Sequence, residues 1–416
     1  MEAGFGKEDI TPPLGAELCG YGYDLNRRGE RIHDKLNASC TAFKSGNEND
    51  KYLIINCDII GFDDEILLKT KDLIKSKYGI SEDCVMLIAT HTHTGPATKA
   101  LTGCGEPDEK YLNDLPGKIF TAAEKALSDL TPVEYMQTSQ KEIEPIGYNR
   151  AISNGPEDHF VRGFLIKRSG ASDIAVASYN CHPVSMGGST LISRDYPGQS
   201  ADALTKTGMN GVFITGVCGD IDPAGVRGDF KVITEYGERI AKGFSNGLSN
   251  DKQCPENFSH DVVKIPVPLQ IFDADKIRQT AEDIINHSSD AGFNRVVKEW
   301  ENFILNALES KNLEYLTHEE GTAHIFSVGD LLIVGINYEA FTEIGSEIRG
   351  AFPDKTVIVA GNTDSVRGYF PTKPAIDKGD DYAAFSSSFL YKKLPVTGEA
   401  AEVFVRAVIS GIKKLY

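Results

Sequence analysis

The side chains best suited to chemistry in this sequence are His91 and His93, which lie in the string THTHTGP at residues 90–96. They follow an apolar run at 84–89 that is short and unbroken, and this run predicts a buried strand. Two imidazoles at the end of a strand could bind one metal ion together, or one could bind the metal while the other carries a proton. The alternative is a polar loop with two solvated histidines, because a lone His-X-His pattern is common.

Six apolar runs that predict core strands each end beside polar residues, most of which can bind a ligand. The runs and the residues that follow them are 52–57 with Asp58, 84–89 with His91 and His93, 174–179 with His182, 212–215 with Cys218, Asp220 and Asp222, 331–336 with Glu339, and 356–360 with Asn362, Asp364 and Tyr369. In open α/β sheets, ligands bind at the carboxyl ends of the strands. We therefore expect a site at that edge, unless the strand ends point in different directions.

Helical periodicity alternates with these runs. It covers residues 63–78, 108–130, 233–242, 274–316 and 397–415. We predict an α/β (mixed α+β) fold with central mixed β-sheets flanked by helices, and a single catalytic domain over residues 1–416.

Composition argues against two classes of partner. The 416 residues carry a formal net charge of −17 without a basic cluster, which opposes binding to nucleic acid or to an anionic membrane surface. No apolar run reaches the roughly 20 residues of a membrane span, and residues 1–9 lack the features of a signal peptide.

The eight cysteines form no Cys-x-x-Cys pair, which favours reduced thiols and a cytoplasmic location. The expected partner is a small-molecule substrate.

Five motifs together resemble the neutral/alkaline, non-lysosomal ceramidase family. They are GKEDITPP at 6–13, GYG at 20–22, THTHTGP at 90–96, CHPVSM at 181–186 and LISRDYPG at 191–198. The motifs occur in the order that the family has, and the resemblance extends from residue 4 to about residue 390.

This resemblance implies a zinc amidase. The zinc ligands look like His91, His182, Glu339 in YEAF at 338–341, and Tyr369 in RGYF at 367–370. Two neutral imidazoles and a carboxylate are a common catalytic zinc set that leaves room for water. Zinc lowers the pKa of that water to about 7, which makes a nucleophile available near neutral pH.

Three other residues complete the implied site. His93 lies two residues from His91 and therefore on the same side of an extended segment, where it could take a proton from water and return it to the leaving amine. The family's positioning arginine looks like Arg150, and its second active-site tyrosine looks like Tyr382. Both could donate hydrogen bonds to the developing oxyanion.

Structural alternatives exist for three of these residues. Tyr369 could be a hydrogen-bonded core tyrosine, since tyrosine is not among the usual zinc ligands. Glu339 could cap a helix that starts near Phe341, where an acid meets the positive end of the dipole. Arg150 could be an exposed surface residue, as most arginines are.

The sequence departs from the family pattern at Asp222. The family has Gly-Asp-Val-Ser-Pro-Asn where this sequence has GDIDPA at 219–224, so Asp222 replaces a serine expected near the scissile group. A carboxylate there has no proton to donate at neutral pH, and we expect it to favour a polar or cationic substrate group. The family's C-terminal immunoglobulin-like domain is also not expected in this sequence. Both departures favour a small, soluble, polar substrate over ceramide.

Three functions are therefore compared. The first is a zinc-dependent hydrolase, related to enzymes of lipid metabolism, that cleaves an amide (N-acyl) bond. The second keeps the zinc and the water but opens an ester, a lactone or a sugar-like substrate. The third is a metal-binding protein without turnover.

Overall fold

The computed structural model describes residues 1–46, 50–311, 314–378 and 382–416. Residues 312 and 313 of the predicted helical segment 274–316, and Asp381 beside Tyr382, lie outside the described residues.

The strands of the described chain are numbered in sequence order. They are β1 (Glu2–Asp9), β2 (Arg31–Ile32), β3 (Asn37–Lys44), β4 (Lys51–Cys57), β5 (Val85–Ala89), β6 (Thr131–Glu142), β7 (Gly147–Asn149), β8 (Phe160–Arg168), β9 (Ile174–Tyr179), β10 (Leu191–Ile192), β11 (Asn210–Thr215), β12 (Ile221–Pro223), β13 (Ser259–Pro268), β14 (His318–Val328), β15 (Leu331–Ile336), β16 (Glu339–Ala340), β17 (Thr356–Ala360) and β18 (Tyr369–Phe370).

The helices are numbered in the same way. They are α1 (Asp64–Tyr78), α2 (Glu109–Ser128), α3 (Asp195–Thr205), α4 (Phe230–Asn246), α5 (Ala274–His287), α6 (Ala291–Glu309), α7 (Glu314–Thr317), α8 (Thr342–Gly350), α9 (Lys373–Lys378), α10 (Ser387–Leu390) and α11 (Ala400–Lys413), with a 3₁₀ turn at Glu82–Cys84 and a π-helical turn at Tyr382–Ser386.

The main sheets contain eight and four strands. Their orders are β11-β9-β8-β6-β1-β3-β4-β5 and β13-β14-β15-β17, and three two-stranded sheets pair β2 with β10, β7 with β12, and β16 with β18. Within the two main sheets the parallel pairs are β4–β5, β9–β11 and β15–β17. These six strands are the six predicted apolar runs, and nearly all of their residues are buried.

The two main sheets pack face to face between two layers of helices. One core cluster joins the facing sides of both sheets and contains Ile88, Phe164, Phe326 and Ile358. Helices α1 to α4 cover the outer face of the eight-stranded sheet, while α5, α6, α8 and α11 cover the outer face of the four-stranded sheet. The predicted mixed α+β fold with flanking helices is confirmed.

The eight-stranded sheet curls until its two edge strands, β5 and β11, approach each other. The Asn56 amide, on the strand beside β5, donates to the carbonyl oxygen of Phe213 on β11 at 3.2 Å. The Thr215 hydroxyl donates to the carbonyl oxygen of Thr90 at 2.7 Å. The strand ends that carry His91 and Asp222 therefore lie side by side, although six strands separate β5 from β11 within the sheet.

Helix boundaries follow local signals. Helix α1 ends at Gly79, whose φ of 68° is left-handed, as the sequence predicts. The predicted helical segment 274–316 is divided into α5, α6 and α7. A new helix begins after Asp290, because the Asp290 side chain accepts from the Phe293 amide and caps the N-terminus of α6. The eight cysteines, all within the described ranges, are unpaired, as expected. In the described ranges, every helix is too short or too polar to cross a membrane.

Candidate metal and catalytic site

Three histidines converge where β5, β9 and the loop before Tyr21 meet. The Nδ1 atoms of His91, His93 and His182 lie 2.6, 2.7 and 3.1 Å from the backbone carbonyl oxygens of Ile60, Gly20 and Cys218. A carbonyl oxygen only accepts hydrogen bonds, so each Nδ1 carries the proton. Each Nε2 of a neutral ring therefore presents a lone pair.

The three lone pairs point at one another. His182 Nε2 lies 3.0 Å from His91 Nε2 and 3.1 Å from His93 Nε2, and the three ligand atoms lie within 4.8 Å of one another. With the protons held on Nδ1, no hydrogen bond can join these nitrogens. Two ligands about 2.0 Å from a tetrahedral ion lie about 3.3 Å apart, which is close to these separations. The donor set thus fits a metal ion.

Burial keeps two of these rings in the metal-binding form. The histidines are 0–8% exposed, so the alternative of solvated loop histidines is wrong. Burial and the neighbouring imidazoles hold the pKa of His93 well below its usual range. The pKa of His182 is also well below that range, because of burial and the nearby Arg150 charge. Both rings are therefore neutral near pH 7.

Glu339 supplies a carboxylate to the same cluster. Its Oε2 lies 3.1 Å from His91 Nε2 and 3.6 Å from His182 Nε2, and its Oε1 accepts a 2.6 Å hydrogen bond from the Tyr391 hydroxyl. Burial raises the pKa of Glu339, but the polar neighbours of the carboxylate, among them the Tyr391 hydroxyl, outweigh it and hold the pKa below its usual range. Glu339 is thus an anion that faces the imidazoles.

The helix-capping alternative for Glu339 is wrong. Helix α8 begins at Thr342, and its first amide donates to the carboxylate of Asp220 at 2.9 Å. The Thr342 hydroxyl donates to the same Asp220 oxygen, so Asp220 serves the helix terminus while Glu339 faces the metal cluster.

Arg150 connects three other residues of the site through hydrogen bonds. Its Nη2 donates to the Tyr369 hydroxyl at 2.7 Å, its Nη1 donates to Asp222 at 3.0 Å, and Nε and Nη2 both donate to the carbonyl oxygen of Gly219. The side chain is 24% exposed, so the surface alternative for Arg150 is wrong. Because Tyr369 accepts from Arg150, its own proton is available for Glu339, with which it also hydrogen-bonds.

Asp222 is neutralised by two arginines. Its Oδ1 accepts from Arg150 at 3.0 Å and its Oδ2 accepts from Arg227 Nη2 at 2.5 Å. A carboxylate that already faces two guanidinium groups offers little attraction to a further cation. This pairing corrects the expectation that Asp222 favours a cationic substrate group.

A cavity of about 280 Å³ opens onto this cluster. Among the predicted site residues, His93, Arg150, Asp222, Tyr369 and Tyr382 line it. The ring of Tyr382 lies 5.2 Å from that of Tyr369. The remaining lining is formed by Gly20, Tyr21, Gly22, Tyr23, Cys104, Val184, Arg227 and Leu390. His93 is the one imidazole of the cluster in this lining.

Three acids at predicted strand ends do not join the site. Asp58 is buried and accepts from the Asn37 amide, Asp220 accepts from Thr342 at the start of α8, and Asp364 pairs with Lys71 at 2.7 Å and with His324 at 2.8 Å. The residues that do meet at the site follow β5, β9, β11, β15 and β17, whereas these three acids stabilise the fold.

Comparisons with known proteins agree with this fold. The neutral ceramidase of Pseudomonas aeruginosa is 26% identical over 247 residues, which are 53% of this chain and 36% of that protein. The chain is neutral ceramidase-like. The crystal structure of neutral ceramidase from Pseudomonas aeruginosa matches 100% of this chain and 75% of its own at a TM-score of 0.73 and 17% identity. The structure of ceramidase complexed with C2 matches the same shares of both chains at a TM-score of 0.72 and 17% identity.

The region matched in sequence spans about a third of the curated relative's length, 36%. No protein-family model matches the chain. The fold of this neutral ceramidase-like chain is thus shared with the solved ceramidases over its full length.

Two residues of the candidate site, Tyr391 and Arg227, are not predicted from the sequence. Tyr391, which donates to Glu339, lies in no recognisable motif, and no signal in the sequence could have indicated it. Arg227 lies in the string GVRG at 225–228, where glycines at both ends indicate a tight loop near Asp222. The closeness of this loop to Asp222 in the sequence is the signal that indicates Arg227.

Proposed function

We propose that the chain is a zinc-dependent hydrolase that cleaves an amide (N-acyl) bond of a small, polar, soluble substrate. The observation that carries this proposal is the convergence of three imidazole lone pairs and the Glu339 carboxylate behind a cavity lined by Arg150 and Tyr382. The amide bond follows from the similarity to ceramidases. We also propose that residues 1–416 form a single catalytic domain.

His91, His182, Glu339 and Tyr369 would hold the zinc. When bound, zinc lowers the pKa of a water molecule and polarises a carbonyl group. Nitrogen and carboxylate ligands with the observed Nδ1–carbonyl hydrogen bonds are typical of catalytic zinc sites. His93 is as close to His182 as His91 is, so distance alone makes His93 a competing ligand.

Exposure to the cavity supports a different role for His93. It lines the cavity, whereas His91 and His182 lie behind it at 2% and 0% exposure. The Gly20 carbonyl holds the proton on Nδ1, so Nε2 is ready to accept a proton from water and to return it to the leaving amine.

Arg150 and Tyr382 would stabilise the developing oxyanion. A guanidinium group has five N–H donors, and Arg150 uses four hydrogen bonds to hold Gly219, Asp222 and Tyr369. One N–H of Nη1 is left for the substrate within the described part of the chain. Donors held in place before the reaction stabilise an oxyanion without reorganisation. Asp222 would act by orienting Arg150.

The cavity supports a small substrate. Its volume of about 280 Å³ lies just below the usual range of ligand pockets, and arginine, aspartate and tyrosine side chains line much of it. If the zinc-loaded protein cleaves ceramide in detergent as fast as ceramidases do, this part of the proposal is wrong.

The test combines metal analysis with a substrate screen. Protein purified without chelator should contain zinc, and H91A and H182A should lose it, while H287A, which changes an exposed histidine on α5, should retain it. A protein that neither contains nor takes up zinc contradicts the metal assignment. The zinc-loaded protein is then incubated with a mixture of amides, esters and lactones. Loss of amides supports the proposal, loss of esters or lactones alone supports the second function, and no turnover supports the inert one.

A further inference from the structure

Arg227 is held at the cavity by a short, well-defined loop. Gly225 and Gly228 flank it with left-handed φ values of 84° and 86°. The Gly228 amide donates to the carbonyl oxygen of Ser185 at 2.7 Å, and the Ala224 amide donates to that of Ile146 at 2.8 Å. These hydrogen bonds fix both ends of the loop, and the ion pair with Asp222 directs the Arg227 guanidinium group to the cavity.

The ion pair with Asp222 does not use the full capacity of Arg227. Arg227 donates to Asp222 through Nη2. The Nε and Nη1 donors of Arg227 have no hydrogen-bond partner among the described residues. The Arg227 side chain is 42% exposed and lines the cavity. Asp222 already has a guanidinium partner in Arg150. Arg227 is therefore more than the structure needs to neutralise Asp222.

The described residues that line the cavity carry an unbalanced positive charge. Among them are two arginines and a single aspartate, and their other titratable side chains are tyrosines, Cys104 and His93. Glu339 is not among the residues that line the cavity; it lies behind them, where it faces the imidazoles. This local positive charge occurs in a chain whose formal net charge is −17. A guanidinium group with spare donors binds carboxylates and phosphates through charge-assisted hydrogen bonds.

We propose that Arg227 recognises an anionic group, a carboxylate or a phosphate, on the substrate, so that the chain acts on small anionic amides. This inference rests on the proposed function for the bond that is cleaved, but the anion subsite itself is independent of it. Arg227 and Arg150 bind the two oxygens of one Asp222 carboxylate. An anion bound at Arg227 therefore lies in the cavity that Arg150 and His93 also line.

The test compares matched neutral and anionic compounds with the zinc-loaded full chain. The pairs are N-acetylglycine against N-acetylglycinamide, N-methylsuccinamic acid against N-methylsuccinamide, and N-acetyl-O-phosphoethanolamine against N-acetylethanolamine. The first two pairs place the carboxylate on either side of the amide bond, and the third tests phosphate. Turnover is measured as kcat/KM, and affinity is measured separately by calorimetry.

The expected result is a preference of about 10-fold or more for an anionic member, in the range that a hydrogen bond to a charged group provides. R227M should bring the ratio of anionic to neutral kcat/KM, and of the affinities, close to one, and R227K should restore part of it. R278M is the matched control, because it removes an exposed arginine on α5 and should keep the full ratio.

The outcomes separate the two proposals. Equal turnover and equal affinity for both members of every pair overturn the anion subsite and leave the amidase proposal standing. Preferential binding that R227M abolishes, without cleavage of any amide, supports the anion subsite and overturns the amidase proposal. A preference that R227M leaves unchanged also overturns the role of Arg227. If no compound binds or reacts, both are wrong.

Discussion

Gly20 provides a direct test of how closely the backbone positions His93. Its carbonyl oxygen accepts from His93 Nδ1 at 2.7 Å, and its φ is +106°. A Cβ at this position would lie 2.3 Å from His93 Nδ1, whereas ordinary contacts begin at 3.4 Å. In G20A the imidazole must therefore move by about 1 Å, a displacement that can cost about 100-fold in rate at a catalytic group.

The same substitution also strains the backbone, and this effect has to be separated from the clash. A non-glycine residue at a sparsely populated, positive φ costs about 1–3 kcal/mol of stability. Gly15 has a similar φ of +90°, and a Cβ there would have nothing within 4 Å. G15A is therefore the matched control, with comparable strain and no contact with the site.

The assay measures kcat/KM on the best substrate from the screen, together with the thermal unfolding midpoint and the zinc content. We expect both variants to lose similar stability, and G20A alone to lose about 100-fold in kcat/KM while it retains most of its zinc. Activity of G20A equal to that of G15A would refute the reasoning, because His93 would then tolerate the displacement. Complete loss of zinc from G20A would instead make His93 a ligand.

Two further predictions concern residues that support the site and the fold. Y391F should weaken zinc binding by about 10- to 100-fold, measured by competition with a chelator, because it removes the hydrogen bond that orients Glu339; unchanged affinity would contradict this role. D364N should lower the free energy of unfolding at pH 7 by about 3–5 kcal/mol, measured by urea denaturation, since it leaves the Lys71 charge buried without a partner. Burial raises the pKa of Asp364, but His324 and Lys71 outweigh it and hold the pKa well below its usual range. Its stabilisation is therefore present above about pH 4 and is lost as the pH falls, so the difference between D364N and the wild type should shrink towards pH 3. A difference that stays constant would contradict the assignment.

The parallel strands could be predicted because they are buried on both faces. Strands β9, β15 and β17 begin and end where the apolar runs do. The antiparallel strands are not predicted from apolar runs, because the sequence of β6 is mostly polar and because polar residues and prolines interrupt the valines and the isoleucine of β13. Their partners lie far along the chain, as in the pairing of β1 with β3 and β6.

Much of the candidate site could also be predicted from the types of residues at strand ends. His91, His93 and His182 are correctly expected to meet, and Glu339 lies beside them. The same reasoning cannot separate Asp58 and Asp364 from these residues, because all of them follow buried strands. The separation depends on partners such as Lys71, which lies 293 residues from Asp364.

The sequence alone determined which chemical groups stand at the ends of the core strands, because buried apolar runs must stop where polar residues begin. Tertiary structure decided which of those groups face one another. The curling of the eight-stranded sheet brings β5 against β11, and only then do Thr90 and Thr215 touch. The charge of Asp222 was evident from the sequence, but its effect was decided by Arg150 and Arg227. A side chain's chemistry depends on its neighbours within a few ångströms, and here the fold brings those neighbours from distant parts of the chain.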